Sequence, residues 1–304
     1  MTLAVLCPGQ GAQHPAMLDL ALSDALGRQA LDEAAAALGD DPRTWTQSDA
    51  MFANANAQPL ICVVQNAQWR ALRARVPRPL AVAGYSVGEL SCYGLAEALG
   101  IAALAQLARQ RAAAMDAAAK AHAGGLCGVR GLARQTIEMI CSDVGAHVAI
   151  AAADDAFVVG AGEAALADFT LRCERLGAQT RALRVGIAAH TPLLAAAIAP
   201  FRAALEASTL HHPVLSIVAG IDSTWVRTRE RAIATLAPQV AQTIEWSQCL
   251  DALYERGCRV FLELGPGQAL SRIVRERLGD VEARAIEDFR SLEAVAAWVG
   301  KKIV

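Results

Sequence analysis

The sequence predicts an α/β fold: a hydrolase-like large domain with a mainly parallel sheet and a nucleophile elbow, plus a small ferredoxin-like α+β insert. Three observations predict it. Short apolar runs ending in glycine turns alternate with longer helical patterns, the order of a parallel sheet with helical crossovers. One such run, residues 80–83, leads directly into Gly84-Tyr-Ser-Val-Gly-Glu89, the strand–turn–helix signature of a nucleophile elbow. Near Ala121 the character shifts to short alternating runs around two helical patterns, in the order β-α-β-β-α-β, which suits a ferredoxin-like unit. The large domain is therefore expected over 1–120 and 188–304, and the small one over 121–187.

Residues 3–7 form an apolar run closing in Pro8-Gly9-Gln10-Gly11, a buried strand feeding a glycine turn. Residues 17–38 carry Leu and Ala at helical spacing. A helix is expected over 58–75, opening on Gln58-Pro59, because proline is tolerated in a first helical turn. The strand at 80–83 and the elbow are followed by helices at 88–97 and 101–120. In the insert, strands are expected at 126–131, 148–152, 157–160 and 179–185, with helices at 134–144 and 163–176. A strand-like run at 183–189 leads to His190, and Thr191-Pro192 then signals a helix start. Two later strands are expected at 215–219 and 260–264, the second ending in Gly265-Pro266-Gly267.

Composition narrows the function classes. A chain of 304 residues, 54% hydrophobic, can bury a large core. Aromatics are only 5%, net charge is −2, and the basic residues form no stripe, which argues against a nucleic-acid surface. The eight cysteines show no C-x-x-C pair and no zinc-like spacing with histidine. They read as reduced core residues of a cytoplasmic protein. No apolar run reaches the length of a membrane span, and no signal-peptide pattern opens the chain.

The chemistry concentrates at Ser86. A strained turn needs small flanking residues, which Gly84 and Gly88 supply. The helix behind it points free N–H groups at the serine, with the Val87 N–H a natural oxyanion donor. An ordinary glycine turn is the plain alternative. A nucleophilic serine needs a base, and among six histidines His190 stands at the end of an element, where it can reach Ser86. Arg111 shares a helical face with Leu104, Leu107, Ala108 and Met115. An arginine on an inward apolar stripe must find an anion. That anion is either a carboxylate of the protein or one on a substrate, held by the guanidinium fork.

Several motifs then converge. Pro8-Gly-Gln-Gly-Ala-Gln13, Gln58-Pro59, Gly84-Tyr-Ser-Val-Gly-Glu89, Arg111 with Met115, His190-Thr191, Gln239 ahead of Trp246, and Glu263-Leu-Gly-Pro-Gly267 follow one another over nearly the whole chain. In this order they resemble the malonyl-CoA:acyl carrier protein transacylase family, which includes the acyltransferase domains of polyketide synthases. The resemblance implies malonyl transfer from malonyl-CoA through a seryl ester on Ser86 to the thiol of a carrier protein, with no permanently bound cofactor. It implies His190 as base and then acid, oriented by the backbone carbonyl of Gln239. It also implies an oxyanion hole from the N–H groups of Gln10 and Val87, a carboxylate clamp at Arg111, and substrate contacts from Gln58, Tyr85 and Met115. The family usually has histidine where Tyr85 stands, and asparagines in the stretch that here reads Ala151-Ala-Ala-Asp-Asp-Ala-Phe157. These departures, with Glu287-Asp-Phe-Arg-Ser-Leu292, look like the epsilon subunits of bacterial malonate decarboxylase, whose carrier subunit is the acceptor. The alternative is a free-standing malonyl-CoA:acyl carrier protein transacylase of fatty acid or polyketide synthesis.

Two other classes are open to the same residues. A serine hydrolase would share the elbow, but no acid is evident between the serine and the histidine to complete a triad. A degenerate assembly subunit would explain Tyr85 and the missing asparagines, but not the joint presence of Ser86, His190, Arg111 and Gln239.

Overall fold

The computed structural model describes residues 1–303. Its strands are β1 (Thr2–Cys7), β2 (Ala81–Gly84), β3 (Gly124–Arg130), β4 (His147–Ala153), β5 (Ala156–Gly162), β6 (Gln179–Ala182), β7 (Ser216–Val218), β8 (Trp225–Val226), β9 (Cys258–Glu263) and β10 (Glu282–Ala285). Six form one sheet in the order β10-β9-β1-β2-β7-β8. All its pairings are parallel except β7 with β8. The central β1 is apolar and buried from Leu3 to Cys7, as expected where helices cover both faces.

The register places the site. Cys7 lies opposite Gly84 across the β1–β2 pair, so the Pro8–Gly11 turn and the elbow leave adjacent strands side by side. Crevices at the carboxyl ends of parallel strands are where open α/β sheets bind ligands.

The other four strands form an antiparallel sheet in the order β4-β5-β3-β6, the ferredoxin-like arrangement. Helices Arg134–Val144 and Glu163–Arg175 cover one face. Alternation along β5 explains how the sheet faces two ways. Phe157, Val159 and Ala161 join a separate core with Ile137, Ile140 and Phe169. Val158, with Leu126 and Ile150, packs instead against the main core. The strand β4 is tied to the large unit through the backbone of Ile244, whose N–H donates to Ala149 O and whose carbonyl accepts from Ala151 N, both at 2.9 Å.

Several expected elements differ. The helical stretch at 17–38 is broken, with Asp24 capping a new helix, Ala25–Leu38, by accepting from Leu26 N. The helix expected from Gln58 begins one turn earlier and runs Asn54–Leu72, so Pro59 lies inside it. The strand expected over 179–185 stops at Ala182, and 183–189 is irregular. Leu183, Val185 and Ile187 alternate there because they line a chamber, not because they pair in a sheet. Two edge strands, β8 and β10, went unpredicted; Glu-Ala-Arg-Ala carries little apolar signal for β10.

Candidate active site

The elbow is built on two close approaches. A Cβ on Gly84 would sit 2.1 Å from Glu89 N, and one on Gly88 would sit 2.0 Å from Cys7 O. Only glycine lets the helix Val87–Leu95 settle this tightly onto β1 and β2. Ser86 takes up the turn with φ 58° and ψ −121°, a strained conformation for a residue with a side chain. The first helical turn closes through Gly88 N to Tyr85 O and Glu89 N to Ser86 O, both 3.0 Å.

His190 is brought to this serine from 104 residues away, with Ser86 Oγ and His190 Nε2 2.7 Å apart. Its backbone is held at φ 62°, and its N–H donates to Val240 O at 2.9 Å. The Nδ1 atom lies 2.6 Å from Gln239 O. A carbonyl can only accept, so Nδ1 carries the proton and Nε2 is left to accept from Ser86 Oγ–H. The Gln239 carbonyl is available because the helix Arg229–Gln239 ends there, and the last carbonyls of a helix lack intrahelical partners. Burial, and then the Arg111 charge, pull the imidazole down to about 3 against the opposing pull of that carbonyl. The ring is neutral at physiological pH.

Arg111 is 1% exposed. Its NH1 donates to Gln58 Oε1 at 2.7 Å and its NH2 to Gln239 Oε1 at 2.9 Å. The buried Nε has no acceptor. Burial lowers the guanidinium to about 10, which still leaves it charged at neutral pH. Of the two partners open to it by sequence, a protein carboxylate is not the one found: no ion pair involves Arg111 among the described residues, and two amide oxygens hold it.

Gln239 joins the centres. Besides its carbonyl to His190, its Nε2 donates to Ser86 O at 3.1 Å and to Glu89 Oε2 at 2.6 Å. Glu89 also accepts from Gly220 N at 2.9 Å, and burial lifts its carboxyl to about 7. Gln58 Nε2 donates to Asn54 Oδ1 at 2.8 Å and approaches Met115 Sδ at 3.4 Å.

Ser86, His190, Arg111, Gln58, Met115, Tyr85 and Gln10 all line one chamber, roofed by Leu126, Ile150, Val158 and Leu183. Tyr85 stacks edge-on against Trp246, ring centroids 5.5 Å apart, and also faces an outer cleft with Arg181 and Arg184. The N–H groups of Gln10 and Val87 have no protein acceptor among the described residues. The sequence-predicted site residues thus gather around Ser86, with Gln239 behind His190 and Arg111. Two neighbours were missed as site residues: Glu89, a fully buried carboxylate in the elbow helix, and Asn54, four residues before Gln58. Among the described residues no group of three or more His, Cys, Asp or Glu is arranged to hold a metal, and no helix is long and apolar enough to cross a membrane.

The acyl transferase domain family matches residues 5–298. A malonyl CoA-acyl carrier protein transacylase of Mycobacterium tuberculosis is 29% identical over 311 residues, covering 97% of this chain and 99% of the relative. The crystal structure of an acyl-carrier-protein S-malonyltransferase from Burkholderia pseudomallei matches with a TM-score of 0.92 at 27% identity, covering 98% of this chain and 100% of that one. A malonyl-transacylase solved in complex with a type II PKS acyl-carrier protein matches at 0.93 and 24% identity over 98% and 99% of the two chains, a likeness of fold. With a family match that spans nearly its whole length, the chain belongs to the acyl transferase domain family.

Proposed function

We propose that the chain is a malonyl-CoA:acyl carrier protein S-malonyltransferase working through a seryl ester. The observation that carries this reading is the buried Arg111, which faces the same chamber as the Ser86–His190 pair and has no carboxylate partner of its own. A guanidinium so placed favours an acyl group that ends in a carboxylate.

In this reading His190 Nε2 takes the Ser86 Oγ proton as Oγ bonds to the thioester carbon. The oxyanion is received by the Gln10 and Val87 N–H groups. The carbonyl re-forms, the bond to sulfur breaks, and the imidazolium returns the proton to the departing CoA sulfur. Deacylation by the carrier thiol runs the same steps in reverse. The Gln239 carbonyl, at the negative end of its helix, favours the transient imidazolium. Gln58 and Met115 flank the acyl group, and Tyr85 lies at the mouth.

The relatives named above are carrier-protein transacylases, which favours a free-standing enzyme of fatty acid or polyketide synthesis. The malonate decarboxylase subunit is kept as a second reading on account of Tyr85, the 151–157 stretch and residues 287–292. We also place the boundaries of the two units at 120/121 and 187/188, supported by the second core that the small unit builds between its sheet and its two helices, and the protein in the cytoplasm.

Intact mass after brief mixing with malonyl-CoA or acetyl-CoA tests the reading. Wild type should gain a malonyl group and little acetyl; Ser86→Ala should gain neither. Arg111→Ala should lower malonyl loading by about 100-fold or more, the loss of two charge-assisted hydrogen bonds, and spare acetyl. Equal loss of both acyl groups would make Arg111 structural. Offering a phosphopantetheine carrier beside the decarboxylase carrier subunit separates the two pathways.

A further inference from the structure

We propose that Asn54 and Asp116 are positioning residues for acyl selectivity, fixing which end of the Gln58 amide meets Arg111. The inference rests on malonyl transfer as the reaction and deepens it.

A side-chain amide has an accepting oxygen and a donating nitrogen on nearly the same outline, whereas arginine can only donate. If the Gln58 amide turned over, its NH₂ would confront the guanidinium, and Arg111 would lose both an acceptor and its placement. The next group along prevents this. Asn54 Nδ2 donates to Asp116 Oδ1 at 2.7 Å, and more weakly to Ala112 O at 3.4 Å. An ionised carboxylate only accepts, so Asn54 is held with its nitrogen towards Asp116. Its Oδ1 then faces Gln58 Nε2 at 2.8 Å. That leaves Gln58 Oε1 for Arg111 at 2.7 Å. The donor direction runs one way through the chain of groups, and Asp116 sets it. Asn54 and Gln58 are four residues apart on one helix, which puts them side by side. The other acceptor of Arg111, Gln239, is anchored the same way by Glu89.

The arrangement keeps both carboxylates off the guanidinium. An Asp or Glu in direct contact would occupy the fork that a malonyl carboxylate needs. Two neutral oxygens, each oriented from behind, hold the side chain while leaving its charge for the substrate.

The test compares rates of seryl-malonyl and seryl-acetyl formation by quenched mixing and intact mass. Asn54→Leu should lower the malonyl-to-acetyl ratio about ten-fold, the effect of losing one hydrogen bond to a charged group, through a slower malonyl rate alone. Asp116→Ala should lower it in the same direction. The double variant should lose no more than Asn54→Leu by itself, because Asp116 acts through Asn54. Asp116→Asn, which keeps an accepting oxygen, should restore most of the ratio. A parallel fall in both acyl rates, or additive losses in the double variant, would overturn the proposal. Should Asn54→Leu fail to fold, the half-buried Asp116 substitutions decide between the same outcomes. A wild type that takes no malonyl group sinks the reaction itself; a wild type that takes it, with variants of unchanged ratio, sinks only the role of Asn54 and Asp116.

Discussion

His190 has no carboxylate behind it, and its basicity is set by burial, by Arg111 and by one carbonyl. The Arg111 charge lowers the imidazole, second to burial. A malonyl carboxylate against the guanidinium offsets that charge, so the imidazole should become more basic in the complex. The acid limb of kcat/KM, which reports the free enzyme, should therefore lie at lower pH than that of the acylation rate at saturating malonyl-CoA. Coincident limbs would show that Arg111 and the acyl carboxylate do not meet. The same shift enters stability. The unfolded chain protonates this histidine near 6.5 and the folded one near 3, so the folded state loses ground as pH falls through that window. Denaturant titrations should show His190→Gln gaining on wild type from about pH 6.5 down to about 3. Glu89 and Glu263, both raised to about 7 by burial, act with the opposite sign in both proteins and cancel in the comparison.

At the scale of elements, the elbow is a contact between backbones. The ideal Cβ of an alanine at position 88 would meet Cys7 O at 2.0 Å, and Cys7 belongs to the central strand, which cannot yield. Gly88→Ala should cost about 3 kcal/mol or more, at or beyond the upper end of core overpacking, and abolish the seryl adduct. Gly300→Ala, exposed inside the helix Leu292–Lys302 with nothing within 4 Å of the added carbon, is the control and should melt at or slightly above wild type. The elbow was legible because its glycines, its strand and its helix are contiguous in sequence. The start of the Asn54–Leu72 helix was not. The proline rule favoured Gln58-Pro59 as the opening, yet the preceding turn is helical and Pro59 falls inside it. Tertiary packing overrode the local preference: Ala57, Gln58 and Leu60 are essentially fully buried. Asn54 precedes the helix expected from Gln58, so the four-residue spacing that sets it beside Gln58 emerges only with the observed helix start.

Across the whole molecule, the site depends on how the small sheet sits against the large one. Residues 239–244 carry the carbonyl that orients His190 and, five residues on, the backbone that pairs with β4. Ile244, whose backbone makes that pairing, has a fully buried side chain. Ile244→Ala should cost about 2–4 kcal/mol as a large-to-small core change. It should also slow acylation by both malonyl-CoA and acetyl-CoA, because the Gln239 carbonyl serves either acyl group. A lower melting temperature with unchanged acylation rates would show that the two sheets are coupled through other contacts.

The sequence alone determined the α/β class, the ferredoxin-like insert and the elbow, because each is written in contiguous periodicity or in a short motif, and it singled out Ser86, His190 and Arg111 as candidates. Tertiary structure decided what Arg111 pairs with, which groups orient Gln58 and Gln239, and that 183–189 lines a chamber instead of adding a strand. Those outcomes depend on atoms brought together from distant parts of the chain, such as Gln58 and Gln239 on either side of one guanidinium. A pattern along one strand or helix records which face is buried. It does not record which polar group waits on the other side.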